Sequence, residues 1–161
     1  MPDHTHALSF VFAIIVLLAI AGPSTAQEAA TSTDQVLVAL GARVSTFLEG
    51  VSMGQAETAY GELLADSQLR TQEDAVKTLV TKTNELEQMY GRYLEFERIA
   101  QKRVGNDLVL LKYLYKCENF PVVWYFTFYR TPTPGETPAE DAAWRVVIVR
   151  FDTELELLAA N

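Results

Sequence analysis

The sequence predicts an α+β domain, with three N-terminal helices packed on a curved four-stranded antiparallel sheet. Three observations carry this. Apolar residues recur every three or four positions from Val36 to Tyr90, the spacing of a helical face. After Gly91 the period changes to the alternation of a strand. Four strand-like runs then follow in succession, and consecutive strands joined by short turns form an antiparallel meander. Helices segregated from such a meander pack on one of its faces.

The helices come first. Asp34 can cap a helix carrying Val36, Leu37, Leu40, Val44, Phe47 and Leu48, with Gly50 at its end. Ser52 and Gln55 fit a capping box for a second helix with Ala56, Tyr60, Leu63 and Leu64 on one side. Thr71 can cap a third, with Glu73 and Asp74 in its first turn, where the helix dipole favours anions. Val76, Leu79, Val80, Thr83, Leu86 and Tyr90 line it, and Gly91 is its stop.

The strands follow at 92–104, 108–118, 122–131 and 144–152. Gly105-Asn106-Asp107 is a tight-turn signal, and the third run is dense in aromatic and β-branched residues. Side-chain parity sorts these strands into two faces. Leu94, Phe96, Leu108, Leu110, Leu114, Trp124, Phe126, Phe128, Val147, Val149 and Phe151 form an apolar set, expected against the helices. The opposite set carries Tyr93, Tyr113, Tyr115, Tyr125, Tyr129, Trp144 and Arg150, with Val109, Leu111, Cys117, Val123, Val146 and Ile148. It is too apolar for a fully solvated surface. Three readings compete for it. It is a subunit interface of a homodimer formed through the sheet, or the wall of a pocket for a small apolar ligand, or a parity shifted partway by a bulge.

At 161 residues, half of them hydrophobic and a fifth charged, the chain is one globular domain and not a disordered one. A net charge of -8 repels phosphate backbones, so nucleic acid is not expected as a partner. Residues 7–22 carry no charge, Pro23 breaks the run, and Ser24-Thr25-Ala26 supplies small residues for a peptidase. This predicts a signal peptide over residues 1–26, cleaved after Ala26, a flexible lead-in over 27–33 and one domain over 34–161. The mature protein is then secreted or periplasmic, free of the membrane. The alternative is an uncleaved leader serving as an anchor, although the apolar run falls short of the roughly 20 residues of a spanning helix.

Cleavage would restrict the chemistry. His4 and His6 both lie in the leader, so the mature chain has no histidine and no His-based triad or metal site. Cys117 is the single cysteine, which excludes an intramolecular disulfide. No phosphate-binding glycine loop or glycosylation sequon occurs, and neither a cofactor nor a metal is expected. Glu136, Glu140 and Asp141 share a Pro-rich loop without calcium-loop spacing.

The element order, with Phe128-Tyr129-Arg130 closing the third strand and Trp144-Arg145-Val146 opening the fourth, resembles the nuclear-transport-factor-2-like (cystatin-like cone) superfamily. Small secreted bacterial members of unknown function end in a similar way. The resemblance spans residues 35–158 and rests on element order and one strand pair. It implies a cone enclosing a cavity, and frequently a sheet-to-sheet dimer. Superfamily enzymes use Asp, His or Tyr in that cavity, and no catalytic signature here matches theirs residue by residue. The leading expectation is therefore a non-catalytic interaction or small-ligand-binding module. The alternative is a histidine-free lyase or isomerase, with Glu95 as base and Tyr113 or Tyr125 as oxyanion donor.

Overall fold

The structure, a computed structural model, describes residues 24–131 and 144–155. The leader, the loop with Glu136, Glu140 and Asp141, and the tail after Leu155 lie outside the described residues. Helix α1 spans Ser24–Ser52, α2 Ala56–Leu63, α3 Glu73–Asn84 and α4 Leu86–Tyr90. A short 3-10 turn, Gln68–Thr71, sits between α2 and α3. Strands β1 (Tyr93–Val104), β2 (Leu108–Cys117), β3 (Val122–Tyr129) and β4 (Arg145–Asp152) form one antiparallel sheet in chain order. The α+β class and the strand succession are as the sequence predicts.

The helices differ from expectation at their ends. α1 begins at Ser24, so residues 27–33 are helical and Asp34 lies inside the helix rather than at its cap. It also runs past Gly50, because Gly50 sits against Ala59 and the chain turns only at Gly54, where φ is +73°. The Ser52 hydroxyl donates back to the Glu49 carbonyl, so it closes α1 instead of opening α2. Thr71 likewise donates to the Gln68 carbonyl and does not cap α3. The predicted third helix is broken at Glu85 into α3 and α4. Gly91 does stop it, with φ +86°; a Cβ there would also crowd Glu118 and Asn119 at about 3 Å, so glycine is required twice over.

The core lies between α1, α2 and one face of the sheet. Leu40, Val44, Phe47 and Leu48 of α1 and Tyr60, Leu63 and Leu64 of α2 are buried against it, as their spacing predicts. From β3 the inward residues are Trp124, Phe126 and Phe128, as expected. From β2 they are Val109, Leu111, Tyr113, Tyr115 and Cys117, which corrects the parity read from the sequence. Register fixes this: Leu111 pairs with Phe126 and Tyr113 with Trp124, and cross-strand partners share a face. Leu108, Leu110 and Leu114 therefore face outward, beside Lys112 and Lys116.

Bulges reset the other strands. Leu94 and Ile99 are extra residues in β1, and Val147 is extra in β4. Leu94 is consequently 60% exposed instead of buried, while Tyr93 and Phe96 both pack inward. Trp144, just ahead of β4, and Val146 face the core before the bulge, and Val149 and Phe151 after it. Val147 does not join them, and Ile148 and Arg150 point outward.

Candidate functional site

The seven residues predicted to share one face are divided by the sheet. Tyr125, Tyr129 and Arg150 lie on the outer face. Tyr93, Tyr113, Tyr115 and Trp144 lie on the helix side, a correction that follows from the β2 parity and the two bulged edge strands.

The outer face forms rows across the strands. Glu97, Leu114, Val123 and Asp152 make one row; the next has Ala100, Lys112, Tyr125 and Arg150. Lys102, Leu110, Thr127 and Ile148 follow, then Val104, Leu108, Tyr129 and Arg145. The Tyr125 ring is clamped by two cations, with Arg150 Cζ 3.9 Å and Lys112 Nζ 5.5 Å from its centroid. Its hydroxyl is enclosed yet has no hydrogen-bond partner. Burial, with Asp152 adding its negative charge, holds the phenol above its ordinary pKa.

Glu95, Tyr113 and Tyr125 are not brought together. Glu95 is on the exposed edge strand, its carboxylate 2.6 Å from Lys116 Nζ, which also reaches Glu97 at 2.9 Å. Tyr113 lies on the opposite face, where its hydroxyl donates to the Gly41 carbonyl at 3.4 Å. The absent side chain of Gly41 permits this approach, since a Cβ there would also stand 3.1 Å from Arg98. The space between helices and sheet is filled by Phe47, packed edge-on against Tyr60, Trp124 and Phe126 with centroids 4.9–5.6 Å away. The buried polar or charged side chains among the described residues are Ser67, Thr83, Thr127 and Arg130, with no carboxylate. A carboxylate base thus has no desolvated site there that would raise its pKa.

A pocket of about 220 Å³ does open at one end of the layer, where α1 ends and α4, β1 and β2 meet. Tyr93, Tyr115 and Cys117 form its sheet wall, and Ser52, Thr83 and Glu87 line the helical side. The Cys117 thiol is pushed up by burial and by Glu87, which makes it a poor nucleophile. No protein-family model, curated protein or solved structure was found to match this chain.

Sequence reasoning missed two arginines that organise the fold. Arg43 of α1 donates to the Trp144 carbonyl at 2.7 Å and to the Leu63 carbonyl at 3.3 Å, with its guanidinium 5.6 Å from the Phe128 ring. Arg130 lies 5.2 Å from the Trp144 ring centre and binds Asp107. A lone Arg at helical spacing or a strand end gives no sequence signal that it will be buried, because the partners are 20 to 101 residues away.

The tyrosines set the alkaline limit of stability. Tyr60 is wholly enclosed and donates to or accepts from Thr83 at 3.1 Å; burial outweighs that bond and pushes its pKa up to about 12. Below pH 10 the phenol is neutral in folded and unfolded chains alike, and stability is undiminished. Between pH 10 and 12 only the unfolded chain ionises, so stability falls by up to about 1.4 kcal/mol per pH unit from this group. Tyr93, Tyr113, Tyr115 and Tyr125 are raised in the same direction. Urea midpoints at pH 8, 10 and 11 should decline, and Tyr60→Phe should decline less steeply. Parallel slopes for the two proteins would rule Tyr60 out as a contributor.

Proposed function

We propose that this chain is an exported, non-catalytic interaction module of nuclear-transport-factor-2-like type, which pairs with a second copy through the outer face of its sheet. The carrying observation is that face itself. Leu108, Leu110, Leu114, Tyr125 and Ile148 make an apolar strip on three adjacent strands, interrupted by Lys112 and Thr127. A strip of this kind, with tyrosine and arginine at its centre, has the composition of an interface core.

Charge selects the occupant. Glu95, Glu97 and Asp152 gather around Lys116 at one end of the face, which stays net negative, and Lys102 and Arg145 lie at the other. A two-fold axis running across the strands at Tyr125 lays the acidic end of one copy on the basic end of the other. It sets Glu97 toward the second copy's Lys102 and Leu114 toward its Leu110. Such a closed isologous contact is the commonest form of self-association. The order of helices before a meander, and Arg130 meeting Trp144 across the strand ends, supports the cone reading. Export is supported by the apolar leader in the sequence. Among the described residues no helix is long and apolar enough to cross a membrane.

Light scattering at about 100 µM, a concentration above the Kd of an ordinary dimer, should give twice the 18.0 kDa chain mass, less whatever leader is removed. Tyr125→Glu should give the single-chain mass with an unchanged circular dichroism spectrum, because Lys112 and Arg150 remain to pair the new carboxylate. A wild-type protein already at single-chain mass, or a variant of unchanged mass, would count against the interface.

A further inference from the structure

We propose that the pocket between the end of α1, α4, the start of β1 and the end of β2 binds a small methylated ammonium ion. It lies on the helix side of the sheet, away from the self-association face, and stands independently of that reading. Its sheet wall carries Tyr93, Tyr115 and Cys117, three members of the tyrosine-rich set for which the sequence suggested an apolar ligand.

Two polar groups stand on the wall. Tyr115 is only 3% exposed and Cys117 8%, and both line the same space.

The sign of the site comes from its charges. Glu87 lines the pocket, and its negative charge raises the pKa of both Tyr115 and Cys117. Glu49 acts on Tyr93 in the same way. Arg92 is the cation at the rim, and it is occupied by Glu118, which accepts from its Nε at 3.1 Å and from its backbone N–H at 3.2 Å. Among the lining residues Glu87 is the one carboxylate, and the one cation, Arg92, is already paired with Glu118, so the lining favours a cation over an anion.

Shape narrows the ligand further. The Tyr93 and Tyr115 rings stand with centroids 4.7 Å apart and tilted by 37°, and both line the pocket. A cation within about 6 Å of such rings is attracted to their electron-rich faces, and a methylated ammonium, being weakly hydrated, loses least on entering. The volume of about 220 Å³ is room for several waters at roughly 30 Å³ each, and it is below that of drug-sized sites. It suits a head group with a short polar arm that can reach Ser52, Thr83 or Asn84.

Calorimetric titration of the full chain with choline tests this, with 3,3-dimethylbutan-1-ol as the uncharged molecule of the same shape. Choline should saturate one site per chain, and the neutral analogue should bind at least about tenfold more weakly. Glu87→Gln, on the exposed side of α4, should weaken choline about fivefold and leave the neutral analogue unchanged. The Tyr125→Glu chain should bind choline as the wild type does, which separates this site from the dimer. Equal affinity for the two probes, no saturable heat with choline up to about 20 mM in natively folded protein, or choline binding indifferent to Glu87→Gln would each overturn the proposal.

Discussion

Trp124→Ala is expected to lower the free energy of unfolding by about 4 kcal/mol, the largest single loss available in this core. Trp124 is fully buried and touches three elements at once. Its ring packs edge-on to Phe47 of α1 at 5.3 Å, stacks on Phe126 of β3 at 6.0 Å and leans on Phe151 of β4 at 4.6 Å. Truncation would remove the filling between the layers, and α1 cannot settle into the gap while Arg43 ties it to the start of β4 and to α2. Domains of this size are stable by only about 5–15 kcal/mol, so the variant should sit near the edge of folding. Trp124→Phe should cost much less, about 1 kcal/mol, because the indole N–H has no partner and its removal relieves a buried unsatisfied donor. Urea denaturation of the three proteins gives both differences. If Trp124→Ala were no less stable than Trp124→Phe, helices and sheet would not be packed through this ring.

The parts legible in the sequence were those set by local rules. Helical spacing from Val36 to Tyr90 and the stop at Gly91 needed only neighbouring residues, and so did the turn at Gly105-Asn106-Asp107 and the strand boundaries. Trp124, Phe126 and Phe128 face the helices as their parity demands, and this fixed the core. Face assignment failed where two apolar sets compete on one strand. β2 reads Leu-Val-Leu-Leu-Lys-Tyr-Leu-Tyr-Lys-Cys, and either parity offers a greasy side. The lysines were the available signal: Lys112 and Lys116 share the parity of Leu108, Leu110 and Leu114, and a charged pair belongs on the solvent side. In β1 and β4 no such signal exists, since a bulge depends on the partner strand and leaves no mark on composition.

The same division explains the candidate sites. Tyr125 with Arg150 on the outer face was readable by parity, and their face is the one proposed for self-association. The end pocket was not readable, because its sheet wall belongs to β1 and β2 while its other side comes from α1, α3 and α4, which only the folded layer brings together. Glu95 looked like a base because alternation placed it near tyrosines, yet the β1 bulges and Lys116 keep it on an exposed edge. Long-range register, rather than local propensity, decides which side chains can share a reaction.

Register also makes one ion pair more important than its sequence context suggests. Asp107 sits in the β1–β2 turn, and its carboxylate accepts from Arg130 Nε at 3.1 Å and Nη2 at 3.0 Å, while the Asn106 carbonyl accepts from Nη2 at 3.1 Å. Arg130 is 7% exposed and Asp107 27%, so the guanidinium carries most of the desolvation. It also lies against Trp144, whose carbonyl is held by Arg43, so the turn, the end of β3, the start of β4 and α1 are joined through these residues. Asp107→Ala should therefore cost about 3 kcal/mol, because a buried cation is left with one carbonyl and a ring. Arg130→Met, which keeps the volume and removes the charge, should cost only about 1 kcal/mol, since the partly exposed carboxylate can turn to water. The double variant should then be no worse than Arg130→Met alone, a coupling of about 3 kcal/mol in a double-mutant cycle. Additive losses in that cycle would mean that Asp107 acts on the turn and not through Arg130. The cycle thus asks whether the strand end and the first hairpin are held by charge or by packing.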